Sequence, residues 1–419
     1  MRVRVHAAHV LPVTSPPLAG GWVDVQDGRI VAMGAADTPT LSADADLDLG
    51  PVALMPALVN AHTHLELSHL RGRVPPSHGF IDWVKALLAA RAAIAPPSTD
   101  DIATAIDEAR RSGTGALGDI GNTHASVEAL KGSDLAAWHF HEVLGFRGGR
   151  GALKAGEAWA TAADNTRAAP KGGRLRFGVA PHAPYSTAPD LIAGVVAGLV
   201  DKPERRASLH LAESPEELQL LADGTGPWRA LLEEFGTWDA AWAVPACPPV
   251  EYLRRIGGLH ARLLIVHGTQ LTVPELQALA AANATLVLCA RSNAWVGVGA
   301  PPVDEAFASG VRIAVGTDSL ASVANLNLFE ELAALRRLAP SIPAGRLVEA
   351  ATRDGAEALG FDDLGTIAPG QSARLLAVHV PAGVDDVEEW LVSGAVTPEA
   401  VRWLDACLRE ARLTEGAAG

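Results

Sequence analysis

Cysteine is almost absent: the 419-residue chain holds Cys247, Cys289 and Cys407, far apart and with no CxxC pair. That count excludes a disulfide scaffold and a cysteine-rich zinc ribbon, and it suits a reducing compartment. Lysine is scarce too, limited to Lys85, Lys131, Lys154, Lys171 and Lys202. Basic charge is outweighed, 34 lysines and arginines against 48 aspartates and glutamates, for a formal charge of −14. A nucleic-acid binder needs a basic face to displace counterions, so that class is excluded. Long hydrophobic runs are missing. The apolar stretch Val52 to Val59 carries Pro56 and falls far short of the ~20 residues a membrane helix needs. The basic start, Met1 to His6, lacks the apolar core of a signal peptide, since His6, His9 and Pro12 interrupt it. A cytoplasmic protein is expected, with a small-molecule substrate and neither nucleic acid nor membrane as partner. The sequence leaves a homo-oligomer open.

What is present is a 48% hydrophobic fraction, enough to bury a sizeable core. The first fifty residues alternate as short strands, with Asp27-Gly28 as a hairpin turn. Strand-like pieces return at Gly365 to Gly370 and Ala373 to Val380, so both chain ends are expected to form one small β-sandwich. Between them, short apolar runs alternate with helical patterns, the mark of parallel βα units. Eight strands are predicted: 53–64, 115–122, 136–145, 174–184, 207–214, 262–271, 284–293 and 312–320. Helices are predicted over 102–112, 274–282 and 326–338. The expected fold is an α/β (β/α)8 TIM-like barrel, with residues 1–53 and 361–419 forming the sandwich and a C-terminal extension, and 54–360 the metal-dependent barrel. Segments 147–151, 168–173 and 238–249 read as loops or insertions.

Chemistry in such a barrel gathers where strands end, and polar residues recur there. His62 and His64 stand two apart on the first strand and therefore face one side, able to chelate one ion. An isolated pair is as well read as histidines satisfied by local hydrogen bonds. Here His210, His267 and Asp318 end three further apolar strands, and five such residues converging without a role is improbable. His139 and His141 form a second pair, but Glu142-Val-Leu-Gly-Phe146 offers no matching polar termination, so core or substrate-wall histidines are expected. Two-metal barrel hydrolases commonly bridge their ions through a carboxylated lysine, and no lysine ends an apolar strand. One ion is therefore expected, held by His62, His64, His210 and Asp318, with zinc preferred and Fe²⁺ or Mn²⁺ compatible.

Asn60-Ala-His-Thr-His64, His210-Leu-Ala-Glu213, His267-Gly-Thr-Gln-Leu-Thr272, Ser292-Asn293 and Gly316-Thr-Asp-Ser-Leu-Ala-Ser322 resemble the amidohydrolase superfamily, most closely its branch of purine and triazine deaminases and chlorohydrolases. The likeness covers nearly the whole chain, including Leu54 to Val59 and Gly365 to Ala373, and departs at Arg374, where the family usually carries aspartate. It implies the same four ligands, Glu213 as proton shuttle, His267 as the residue orienting the attacking water, and His182 as a purine-nucleoside contact. A divalent metal lowers the pKa of a bound water from about 15.7 toward roughly 7. Asp318 can take a proton from that water, and protonated Glu213 can donate to a ring nitrogen. Without these neighbours Glu213 would read as a solvated carboxylate at a helix start.

The implied activity is metal-dependent hydrolytic deamination of an aminopurine nucleoside. The alternatives are dechlorination, amide ring opening at a two-metal site, and a barrel that only binds. The narrowest resemblance is to the aminodeoxyfutalosine deaminases of menaquinone biosynthesis, through Asn60 to Ser68, Gly79-Phe-Ile-Asp-Trp83 and Arg291-Ser-Asn293. Adenosine, S-adenosylhomocysteine, methylthioadenosine and guanine remain as other substrates. A carboxylate tail would need a cation, and Arg291, Arg147 and Arg150 are the candidates, the last two also readable as a solvated Gly-rich loop. Glu66 holds a sugar or base edge, or pairs with a neighbour.

Overall fold

The structure is a computed structural model describing residues 1–38, 42–169 and 173–418, with side chains to residue 411. Lys171 and residues 170–172 of the predicted insertion lie outside the described residues. Eight strands form one sheet in sequential order: β1 (Leu58–Thr63), β2 (Thr114–Gly121), β3 (Ala136–Val143), β4 (Leu175–Pro181), β5 (Ala207–Leu211), β6 (Leu263–His267), β7 (Thr285–Leu288) and β8 (Arg312–Val315). From β3 to β8 the pairing is parallel throughout. Residues of β5, β6 and β7 are buried along their whole length, as parallel strands covered on both faces must be. The predicted helices appear as Thr99–Arg111, Val273–Ala281 and Leu328–Leu338. This is the TIM-like barrel, with strands alternating with helices.

The sheet's two edges meet at the end where chemistry is expected. Asn60 donates through Nδ2 to Thr317 Oγ1 at 2.8 Å and accepts from the Thr317 amide at 3.1 Å. The Asp318 amide donates to the His62 carbonyl at 3.1 Å. A Cβ on Gly316 would lie 2.8 Å from that of His62, so only glycine admits so close an approach of β8 to β1.

Two predicted strands are revised. The first breaks at Ala57: Val52–Pro56 joins a different sheet, and β1 begins at Leu58. Pro56 has no amide to donate, and the next two amides turn to Arg374 and Gly113. The seventh stops at Leu288, and Ala290–Val296 is a helix, so Arg291, Ser292 and Asn293 stand on its first turns.

The chain divides by its packing into two units, residues 60–107 with 117–326, and residues 1–59 with 108–116 and 327–419. In the latter, chain-end strands make two sheets. One runs Arg29–Gly34, Trp22–Gln26, Arg2–His6, Ala45–Asp48; the other runs Val401–Trp403, Leu375–His379, Val52–Pro56, His9–Val10, Leu18–Ala19. Val3, Val5, Val23, Ile30, Leu54 and Leu375 share one buried core. The hairpin turn has Asp27 at φ 51° and Gly28 at φ 73°, the left-handed pair such turns demand. No helix among the described residues is long and apolar enough to cross a membrane.

Candidate active site

His62 and His64 face one way at the end of β1, as strand geometry requires, and His210 ends β5. The Nε2 atom of His62 lies 3.2 Å from that of His64 and 3.3 Å from that of His210. Asp318 Oδ1 stands 3.6 Å from His64 Nε2 and 3.9 Å from His62 Nε2. The outward nitrogen of His210 is defined: its Nδ1 donates to the His182 carbonyl at 2.9 Å, which leaves Nε2 with a lone pair. Four donors held tetrahedrally about 2.0–2.1 Å from one ion stand about 3.3–3.4 Å apart. The His62–His64 and His62–His210 spacings match that value. His62 and His64 with Asp318, and His62 and His210 with His267, make groups close enough to hold a divalent metal, the first of mixed nitrogen and oxygen donors. Burial pushes His62 and His210 well below the ordinary imidazole range, and the neighbouring imidazoles add to the shift, so both are neutral, as ligands must be.

Asp318 is fixed from three directions. Ser292 Oγ donates to its Oδ2 at 2.5 Å, Ser322 Oγ to the same oxygen at 3.1 Å, and the Ser319 amide to Oδ1 at 2.7 Å. Its φ of 60° is left-handed, as is that of His267 at 72°, a strain often held at functional strand ends. Burial alone would raise the Asp318 carboxyl, but the His64, His267 and His62 imidazoles, with Ser292, bring it down to about 2.

Glu213 is no solvated helix carboxylate. It is buried, and Ser214 rather than Glu213 caps the helix Pro215–Asp223. Tyr185 donates to its Oε2 at 2.9 Å, and His267 Nε2 stands 3.4 Å from its Oε1. Burial, reinforced by the Asp318 charge, pushes its carboxyl up to about 8. Its backbone is clamped by the buried Glu217, which accepts from the Ala212 and Glu213 amides at 2.9 and 3.0 Å. His267 donates from Nδ1 to Asn293 Oδ1 at 3.0 Å, which makes Nε2 the acceptor nitrogen turned toward the cluster.

A cavity of about 440 Å³ opens over these groups, lined by His64, His182, His210, Glu213, His267 and Asp318. Its wall is aromatic. Tyr185 stacks on Trp228 with ring centroids 3.9 Å apart, and Phe80 meets both edge-on. A flat apolar ring system fits such a surface.

The family model for amidohydrolases matches residues 53–398. The chain belongs to the amidohydrolase family. A 5-methylthioadenosine/S-adenosylhomocysteine deaminase of Nitratidesulfovibrio vulgaris is 30% identical over 86% of this chain and 80% of its own. An aminodeoxyfutalosine deaminase of Deinococcus radiodurans is 30% identical over 73% of each. Helicobacter pylori aminofutalosine deaminase, solved with methylthio-coformycin, superposes with a TM-score of 0.81 at 25% identity, covering 96% of this chain and 97% of its own. A zinc-bound adenosine deaminase from Xanthomonas campestris gives 0.78 at 25% identity, covering 95% and 90%. As a member of this family the chain is a hydrolytic aminohydrolase.

The other expected site residues fall differently in this amidohydrolase. His182 lines the cavity, its Nδ1 2.6 Å from Ser186 Oγ. Glu66 also lines it, but its carboxylate accepts from the Asn122 amide, the Thr123 amide and the Thr123 hydroxyl at 2.8–3.0 Å, clamping the loop after β2. None of the three arginines expected at a tail lines the cavity. Arg291 donates to the side-chain and backbone oxygens of Asn325, Arg147 donates to the Gly236 carbonyl, and Arg150 precedes the helix Gly151–Ala168. His139 is a core histidine, paired through Nδ1 with Asp119 at 3.0 Å, and His141 borders a neighbouring cavity.

Several cavity residues were missed from sequence. β3 does end in a polar group: Glu142 lines the cavity, its Oε1 without a hydrogen-bond partner and 3.9 Å from His182 Nε2. The signal was present, since Glu142 faces opposite to His139 and His141. Trp228 and Arg91 gave no local signal that they line it.

Proposed function

We propose that this amidohydrolase is a mononuclear zinc enzyme that deaminates an adenine nucleoside with an extended 5′ arm, 6-aminodeoxyfutalosine being the substrate and menaquinone biosynthesis the setting. The observation that carries the reading is Glu213, a buried acid between Tyr185 and His267, at the floor of an aromatic-walled cavity and beside the convergent histidines.

His62, His64, His210 and Asp318 hold the ion, which when bound supplies the Lewis acidity that makes water a nucleophile at neutral pH. Tyr185 and Trp228 present an apolar surface to the purine. Glu213 gives its proton to the ring nitrogen beside the amino-bearing carbon, while Asp318 takes one from the attacking water and His267 orients that water. A C–O bond forms at the carbon. Asp318 passes its proton to the amino group, the C–N bond breaks, ammonia leaves, and the new hydroxyl returns a proton to Glu213. Each proton is accounted for.

A second reading, deamination of methylthioadenosine or S-adenosylhomocysteine, is favoured by the longer match to the deaminase of that name. Ammonia release and metal content settle the choice when aminodeoxyfutalosine, adenosine, S-adenosylhomocysteine, methylthioadenosine and guanine are compared by kcat/KM. A preference for aminodeoxyfutalosine is expected; a preference for adenosine or guanine would remove the futalosine assignment and keep the deaminase.

A further inference from the structure

The outer part of the cavity holds a cation that the deamination chemistry does not use. Arg91 lies in the last turn of the helix Phe80–Ala93 and is exposed. It borders both the main cavity and an adjoining one of about 540 Å³. Its guanidinium donates to the Asn122 amide oxygen at 3.4 Å, and no carboxylate of the described residues lies within ion-pair distance of it. Asn122 is itself oriented: its Nδ2 donates to Glu142 Oε2 at 2.6 Å, which turns its oxygen toward Arg91. Glu142 Oε1 in turn stands 4.0 Å from His210 Nδ1. A short polar chain thus runs from the guanidinium through Asn122 to Glu142, beside the histidine cluster. The surrounding wall is apolar, with Leu87, Leu88, Leu144 and Phe235 lining the same cavity. Lys154 adds a second cation in the adjoining one.

We propose that Arg91 determines specificity by pairing with a carboxylate at the end of an aromatic arm on the nucleoside. The arm lies against Leu87, Leu88 and Leu144 while the base sits over the histidines. The inference rests on the deaminase reading above and names the arm's chemistry. A planar guanidinium offers two parallel donors to a carboxylate. The uncharged arm of methylthioadenosine leaves Arg91 in water and gains nothing. The amino-acid arm of S-adenosylhomocysteine also ends in a carboxylate, but beside an ammonium that Arg91 and Lys154 repel, so its pairing gains less. Futalosine-type nucleosides carry a carboxybenzoyl arm with no ammonium.

The test is the ratio of kcat/KM for aminodeoxyfutalosine to that for methylthioadenosine, measured at low and high salt. Arg91→Met should lower the ratio roughly ten- to hundredfold, the range for a charged hydrogen bond, and Arg91→Lys should restore part of it. The wild-type ratio should fall with salt, because the pair is exposed, and the Arg91→Met ratio should not. Arg167→Met, at a surface pair with Asp164, serves as control and should leave the ratio unchanged. A ratio in Arg91→Met within about twofold of wild type overturns the inference. So does a wild type that deaminates both nucleosides without preferring the carboxylate, although the deaminase reading then stands. A metal-loaded wild type that releases ammonia from neither overturns that reading, and this inference with it.

Discussion

Buried charge is handled in opposite ways in the sandwich and at the barrel mouth. In the sandwich, Asp24 is fully buried and accepts from Arg4 Nε and Nη2, each at 2.9 Å, and from Arg2 Nε at 2.9 Å. The Arg4 guanidinium also lies 4.4 Å from the Trp22 ring. The buried carboxylate finds its counter-charge within the unit. Burial alone would raise the Asp24 carboxyl, yet hydrogen bonds from Arg4 and Arg2 bring it below the usual carboxylate range. At the barrel mouth, Nε2 of His62 lies 3.2 and 3.3 Å from those of His64 and His210, and Glu142 Oε1 has no hydrogen-bond partner. A polar cluster that satisfies itself serves the fold; one whose acceptors converge on one point needs a cation to complete it.

The sharpest way to break that contrast is to remove a convergent donor. His62→Ala or Asp318→Ala should abolish turnover and strip the ion while the barrel stays folded. Mass-spectrometric metal content, read beside circular dichroism, checks this; full metal loading in His62→Ala would refute the ligand assignment. A chelator should inactivate the wild type, and added zinc should restore it.

Next in size is Glu213→Gln, which keeps the shape but not the transferable proton. Its kcat should fall about 10²–10⁴-fold with metal retained. An unchanged kcat with chemistry rate-limiting would assign the proton to another group.

On the sandwich side, Asp24→Ala removes the buried carboxylate that two arginines share and should cost about 3–5 kcal/mol of stability, measured by urea unfolding. The same residue predicts a pH effect. Because its folded pKa is depressed, its contribution is present above the ordinary carboxylate value of about 3.9 and is lost as pH falls through the lower folded value. Wild-type stability should therefore drop below about pH 4, and Asp24→Asn should flatten that part of the slope. An unaltered acid limb would mean that other carboxylates carry it.

The smallest effect is expected from Ser292→Ala. It removes the 2.5 Å hydrogen bond that orients Asp318 and should weaken metal affinity about 10–100-fold. Competition with a chromogenic zinc chelator reads this directly; unchanged affinity would mean that Ser319 and Ser322 suffice.

Much of the site was legible because a parallel barrel turns sequence position into spatial position. A polar residue ending an apolar strand must lie at one rim, so His62, His64, His210, His267 and Asp318 could be grouped although up to 256 residues apart. The Asp27-Gly28 turn was legible for a different local reason, the backbone conformation that glycine alone adopts freely. The end of β7 misled, since Ala290–Val296 carries the residues of a strand-end motif on a helix, and Arg291 turned to Asn325 instead of the cavity.

The chain's local patterns thus determined the eight strands, the side on which each rim histidine points, and the donor types gathered at the rim. Tertiary structure alone decided the spacing of three imidazole nitrogens, the desolvation that lifts Glu213, and which of many arginines reaches the cavity. The physical reason is range. Side-chain alternation depends on one strand's own backbone, whereas burial and the 3.2–3.3 Å nitrogen contacts depend on strands brought together by closure of the sheet through Asn60 and Gly316.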